Sequence, residues 1–383
     1  MRSRLVVALP LVVLSTQCGS DPEVSEPSQG QHGEAGTNGE GGAPSEGGAS
    51  AGAGAPSDGG AESSSEAGAG GAGPSSFLDS DLRGALPERL SALGLYPELP
   101  SRESWHERAA YYEPRYPLWS NGSDKQRFIV LPEGASVDTS GSSWEFPVGT
   151  TFFKTFSYLE GKERDRAIET RVLRRTDDGY EFAAYRWLSD QTDAELLDGQ
   201  KSVRVAVELD GESFEHQIPS RLECRTCHES QEPRVIGFDE LRLNHALEGA
   251  ESTQLAALFE REVLSESPEE PASIEHEDPT TRKVLEYLHG NCAHCHNGSD
   301  GPSSAFDLRY PVALENLIGV ETTSELFGGL RVSPGEPEAS ALYKGITRNV
   351  EGGDAQPMPP VGVQRVDTEA AALFYDWISS LAP

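Results

Sequence analysis

Methionine is nearly missing from this sequence: there are two in 383 residues, and one of them is Met1. Chemistry that needs a thioether therefore has one candidate once an N-terminal leader is removed, Met358. Cations are also scarce, 31 Lys and Arg against 63 Asp and Glu, for a net charge of −32. Such a polyanion is not drawn to nucleic acid or to an anionic membrane surface, which leaves a basic protein as the favoured kind of partner. Residues 19–76 contain no aromatic side chain, no Lys and no Arg, and are dominated by Gly, Ala, Ser, Glu and Pro. They cannot bury a core and read as a disordered linker. Beyond the first twenty residues no run is long and apolar enough to span a bilayer.

What is present begins with an export signal. Arg2 and Arg4 precede an apolar run from Leu5 to Leu14, shorter than a membrane span. Cys18 follows closely, and its position resembles the modified cysteine of bacterial lipoproteins, although Ser15 and Gln17 stand where that signal usually has Leu and a small residue. The resemblance implies a lipid anchor on Cys18 and a folded part held above the membrane by the linker. Simple cleavage and secretion is the alternative.

The other four cysteines fall into two copies of one pattern, Cys224-Arg225-Thr226-Cys227-His228 and Cys292-Ala293-His294-Cys295-His296. C-x-x-C-H is the attachment motif for c-type haem. On one helical turn positions i, i+3 and i+4 face the same way, so two thiols reach the porphyrin vinyls while the imidazole reaches the iron. A structural zinc site would place its pairs closer together, and two disulfides would suit an exported protein, but neither explains a histidine after each pair. The expected cofactors are two covalent haems c, with His228 and His296 as proximal ligands. Met358, in Gln356-Pro357-Met358-Pro359-Pro360, is the expected sixth ligand of the second haem. For the first, the histidines at hand are His106, His216, His245, His276 and His289, with His245 preferred because it shares a helical face with Phe238 and Leu241. His294 should point away from the iron into solvent.

Helices are expected at Thr281–His289, stopping at Gly290, and at Asp367–Leu381, with Asp367 as N-cap and a stripe of Ala371, Phe374, Tyr375 and Ile378. With the second motif, the Met358 loop, Pro334-Gly335-Glu336-Pro337 and Ser340-Ala341-Leu342-Tyr343, these make residues 280–383 similar to a class I cytochrome c domain. Further helices are expected at Asp79–Leu93 and Asp239–Leu247.

Residues 77–220 read as strands: Gln126–Leu131, Thr151–Tyr158, Ala167–Arg175, Gly179–Trp187, Ser202–Leu209 and Ser213–Ile218, separated by turn signals such as Asp177-Asp178-Gly179 and Asp210-Gly211. They show no catalytic constellation. The expected fold class is α+β and multidomain. An antiparallel β-sandwich or meander (77–220) precedes a first haem segment (221–279) and a mostly α-helical cytochrome c domain (280–383), with a signal at 1–18 and the linker at 19–76. Taken whole, residues 77–383 resemble a family of exported bacterial dihaem c-type cytochromes. The segments that carry the likeness are Tyr116-Pro117-Leu118-Trp119-Ser120-Asn121-Gly122, Phe146-Pro147-Val148-Gly149-Thr150, Glu169-Thr170-Arg171 and Ile218-Pro219-Ser220-Arg221. The resemblance implies single-electron transfer in the periplasm or at the cell surface, between a partner redox enzyme and a respiratory carrier. The alternative is a haem enzyme, peroxidase-like or the haem subunit of a dehydrogenase, with an open first haem.

Overall fold

The computed structural model describes residues 76–160, 164–299, 306–323, 328–350 and 357–382. The expected signal, Cys18 and the expected linker up to residue 75 lie outside them; Ser76, its last residue, caps the first 3-10 turn. All the described residues belong to one compact unit, Ala69–Pro383.

Six strands pair in chain order as one antiparallel sheet: β1 (Ala110–Tyr111), β2 (Asp124–Val130), β3 (Thr151–Glu160), β4 (Arg164–Thr176), β5 (Gly179–Trp187) and β6 (Ala194–Leu196). β7 (Val203–Leu209) and β8 (Glu212–Ile218) form a separate hairpin. The sheet is a meander rather than half of a sandwich. All six expected strands are present with ends shifted by up to three residues; β1 and β6 are too short to show an alternation. Side chains of opposite parity cover opposite faces. Phe128, Val130, Phe153, Val172, Tyr185 and Trp187 pack against Leu78, Leu82, Leu90 and Leu93, while Ile129, Phe152, Leu173 and Phe182 pack against Tyr112, Phe238, Leu243 and Leu258. A sheet covered on both sides needs apolar residues at both parities, which is why its alternation is only partial.

Two helical expectations shrink. Asp79–Leu93 is not one helix but two 3-10 turns, Phe77–Asp79 and Leu90–Leu93. Gly84 and Pro87 lie between them, and proline removes a helical donor and clashes with the preceding turn. Asp239–Leu247 contracts to Glu240–Leu243, because Asn244 leaves the helix to donate its side-chain amide to the carbonyls of Pro271 and Ala272.

The helices are α1 (Arg221–His228), α2 (Glu240–Leu243), α3 (Gln254–Glu260), α4 (Pro279–Asn291), α5 (Ala341–Ile346) and α6 (Thr368–Ser380). Among the described residues of 280–383 the helical elements are α4, α5, α6 and a 3-10 turn, Pro337–Ala339, less helix than expected. Asp278 caps α4 and Asp367 caps α6, each accepting from the third backbone N–H along. The buried face of α6 is Ala370, Phe374, Trp377 and Ile378, so it is rotated from the expected stripe, and Tyr375 is exposed. This face meets Val284, Leu285 and Leu288 of α4.

Gly290 does not end α4. It lies within the helix, where a Cβ would sit 2.7 Å from the Tyr116 carbonyl oxygen. Gly290→Ala should therefore destabilise the protein by about 1–3 kcal/mol through overpacking. A urea midpoint unchanged at constant slope would refute this.

Candidate functional site

The first cysteine pair sits on α1. Ser220 and Glu223 form a reciprocal cap, the Ser220 N–H donating to Glu223 Oε2 at 2.7 Å and the Glu223 N–H to Ser220 Oγ at 3.3 Å. This fixes the helix start so that Cys224, Cys227 and His228 line one cavity. Its walls include Phe152 and Lys154 of β3, Arg171 and Leu173 of β4, Phe182 of β5, Val235–Gly237, and Pro359 with Val361–Val363 from near the C-terminus. Its enclosed space is ≈ 150 Å³, below the roughly 300–1,000 Å³ of ordinary small-molecule sites.

The C-terminal wall is held by the Tyr116–Gly122 segment. Buried Asn121 accepts at Oδ1 from the backbone N–H of Gln364 (2.7 Å) and Arg365 (3.0 Å) and donates to Gln364 Oε1 at 2.7 Å. The Trp119 indole N–H donates to the Arg365 carbonyl (3.1 Å), and the Trp119 backbone N–H to Asn291 Oδ1 of α4 (2.7 Å). Asn121 has φ 58°, a left-handed turn that Asn tolerates.

His228 packs against Phe182, with ring centroids 5.2 Å apart. Its Nδ1 lies 2.7 Å from the Arg234 carbonyl, an acceptor only, so Nδ1 carries the proton and Nε2 keeps its lone pair. Burial pushes this imidazole down to about 4, against the opposing pull of that carbonyl, so it is neutral at pH 7. Burial also raises the Cys224 thiol to about 11. A neutral imidazole with one nitrogen fixed and the other free is the preparation a metal ligand requires. The two thiols on the same helix and the Phe152 and Phe182 rings that line the same cavity suit a covalently attached haem.

The second motif is one helical turn at the end of α4: the N–H groups of Cys295 and His296 both donate to the Cys292 carbonyl, at 3.1 and 2.9 Å. His296 stacks on Phe306 (4.6 Å, 25° between planes), with Arg331 above the far ring at 4.0 Å. Burial holds His296 down to about 4, and its Nδ1 has no hydrogen-bond partner. Met358 is half-buried, its backbone N–H donating to the Gly345 carbonyl of α5 at 3.0 Å.

The two motifs meet. Asn297 donates to the Ser230 carbonyl at 2.7 Å, and the ligand atoms of Cys227, His294 and Cys295 lie within 4.8 Å of one another. His294 is therefore not solvent-exposed; it is buried, at 4% exposure, between the motifs. Hydrogen bonding to Cys295, opposed by burial and assisted by His294, favours the Cys227 thiolate.

The histidines considered for the far side of the first haem are placed elsewhere or already engaged. His245 stands beside the Gln254 amide (3.3 Å), outside the cavity wall, because the helix that was to carry it ends before it. His216 does line the cavity, but Nδ1 lies 2.8 Å from the Tyr158 hydroxyl and Nε2 lies 2.7 Å from Glu169. His106 is beside Asp79 (3.1 Å) and His276 accepts from the Asp278 N–H (3.0 Å). His289 is buried against Tyr116, with neither ring nitrogen hydrogen-bonded.

Sequence reading missed the cationic wall opposite α1, Arg127, Lys154 and Arg171. Its signal is a charged residue at an inward parity of three successive strands. Comparison with known protein families, curated proteins and solved structures returned no match.

Proposed function

We propose that this chain is a dihaem c-type cytochrome acting outside the cytoplasm. Cys224 and Cys227 hold one haem and Cys292 and Cys295 the other; His228 and His296 are their proximal ligands, and Met358 is the sixth ligand of the second. The paired motifs and the α4–α6 crossing support a class I cytochrome c arrangement for residues 280–383. Bound haem would supply a one-electron ferric/ferrous couple for transfer between a partner redox enzyme and a respiratory carrier. The export signal and Cys18 support a periplasmic or surface location with a lipid anchor, and the charge of −32 supports a basic protein partner rather than nucleic acid. The observation that carries the reading is His228, neutral, tautomer-fixed and lining one cavity with the two thiols of its own helix.

The test is a pyridine haemochrome assay with intact mass, on protein matured in a host that attaches haem. Two haems per chain are expected, falling to one in Cys224→Ala/Cys227→Ala and in Cys292→Ala/Cys295→Ala. Protein that emerges colourless overturns the reading. Carbon monoxide binding to the first haem would turn it toward a haem enzyme, since a carrier needs no open position.

A second reading rests on the grouping of Cys227, His294 and Cys295, which suits a thiolate- and imidazole-preferring metal ion such as zinc. One equivalent of zinc with no haem would favour it.

A further inference from the structure

Arg127, Lys154 and Arg171 occupy directly opposed positions on β2, β3 and β4: Arg127 pairs in register with Lys154, and Lys154 with Arg171. Cross-strand like charges destabilise a sheet, and here Arg127 is buried, at 7% exposure, while Lys154 and Arg171 are half-buried. Of the three, Arg171 has a counter-charge, donating to both oxygens of Glu169 at 2.6 and 2.8 Å. Among the described residues neither Arg127 nor Lys154 has a carboxylate within ion-pair distance. The Lys154 ammonium rests 4.8 Å from the Phe156 ring centroid. Burial, with Arg127, Lys125 and Arg171 beside it, drives Lys154 well below the usual lysine range. Of the nearby acids, Glu223 is committed to capping α1 and to Gln217, and Glu113 to the Tyr111 hydroxyl.

All three cations line the cavity that also holds Cys224, Cys227 and His228. Two cations side by side without counter-charges, one buried and one half-buried, call for negative charge from a ligand. We propose that the sheet is a wall of the first haem site and that Arg127 and Lys154, backed by Arg171, bind its two propionates. This rests on the dihaem reading and assigns the β region a role in it. Arg127 supplies a planar fork suited to a carboxylate and Lys154 a point charge. Both are delivered by strands of a sheet packed on both faces, so their spacing is set by backbone register rather than by a loop. A buried cation beside a propionate stabilises the more negative ferrous state, which raises the potential of this haem relative to a site without it.

The experiment is a redox titration of the holoprotein and of Arg127→Gln and Lys154→Gln, with haem counted in each. Haem count separates the two layers: a wild type without haem removes the dihaem reading itself. With two haems retained, each neutral variant should move one haem at least tenfold toward the ferric form at fixed poise, about 59 mV for a one-electron couple, leaving the other haem in place. Arg127→Lys and Lys154→Arg, which keep the charge, should restore the wild-type potential and serve where a neutral variant fails to fold. Potentials unchanged in both Gln variants overturn the assignment. So does a switch of the first haem to high spin in Lys154→Gln, which would make Lys154 an iron ligand instead.

Discussion

Glu169→Gln is expected to cost about 3 kcal/mol of folding free energy, the low end for breaking a buried pair, because it leaves the half-buried Arg171 guanidinium without its counter-charge. Glu169 is fully buried, bidentate to Arg171 and 2.7 Å from His216 Nε2. His216 is in turn joined to Tyr158 on β3, so one carboxylate ties β3, β4 and β8 together. Burial alone would raise its carboxyl, but Arg171 and His216 hold it down to about 2, against an ordinary 4.5. A folded-state value below the unfolded one contributes stability that is present above the unfolded value and lost as pH falls toward the folded one. The wild type should therefore lose this contribution between about pH 4.5 and 2, whereas Glu169→Gln should lack that component. Urea unfolding of the holoprotein at stepped pH measures both. A loss under about 1 kcal/mol at neutral pH would mean that Arg171 finds another partner.

Trp377→Ala should be comparably damaging, about 3–5 kcal/mol, from lost burial plus the cavity left behind. Trp377 is 1% exposed at the α4–α6 crossing, edge-on to Phe374 at 6.1 Å, and its indole N–H donates to Thr281 Oγ1 at 3.2 Å. Since α4 runs into the second C-x-x-C-H motif, the dihaem proposal expects the variant also to show a lower yield of the second haem at equal protein. Trp377→Phe, which keeps most of the volume, should recover most of the stability. An unfolding midpoint matching the wild type in Trp377→Ala would show that the crossing does not carry α4.

Some of this was legible in the residues and some was not. The six main strands announce themselves through β-branched and aromatic runs closed by Gly and Asp turns, and the cap of α6 through Asp367; the cap of α4, Asp278, emerged only with the structure. The rotation of α6 was missed because Tyr375 and Trp377 are both large and amphipathic, and which of them is buried depends on where α4 lies. Asp239–Leu247 looked helical locally, but Asn244 bonds to Pro271 and Ala272 far along the chain, and those bonds end the helix before His245. His294 looked like an outward position of its motif. It is buried because the other motif packs against it.

The residue order by itself determined the chemistry on offer: two thiol pairs each followed by an imidazole, one methionine besides Met1, and an excess of acidic side chains. Motif spacing is a property of a single turn of backbone, so it needs no tertiary knowledge to read. Only the tertiary structure decided which side chains surround that chemistry. Strand register sets Arg127, Lys154 and Arg171 in one row opposite α1, and packing brings Cys227 to Cys295. These are contacts between residues distant in sequence, and they exist only once backbone hydrogen bonds and burial have chosen one register over the others.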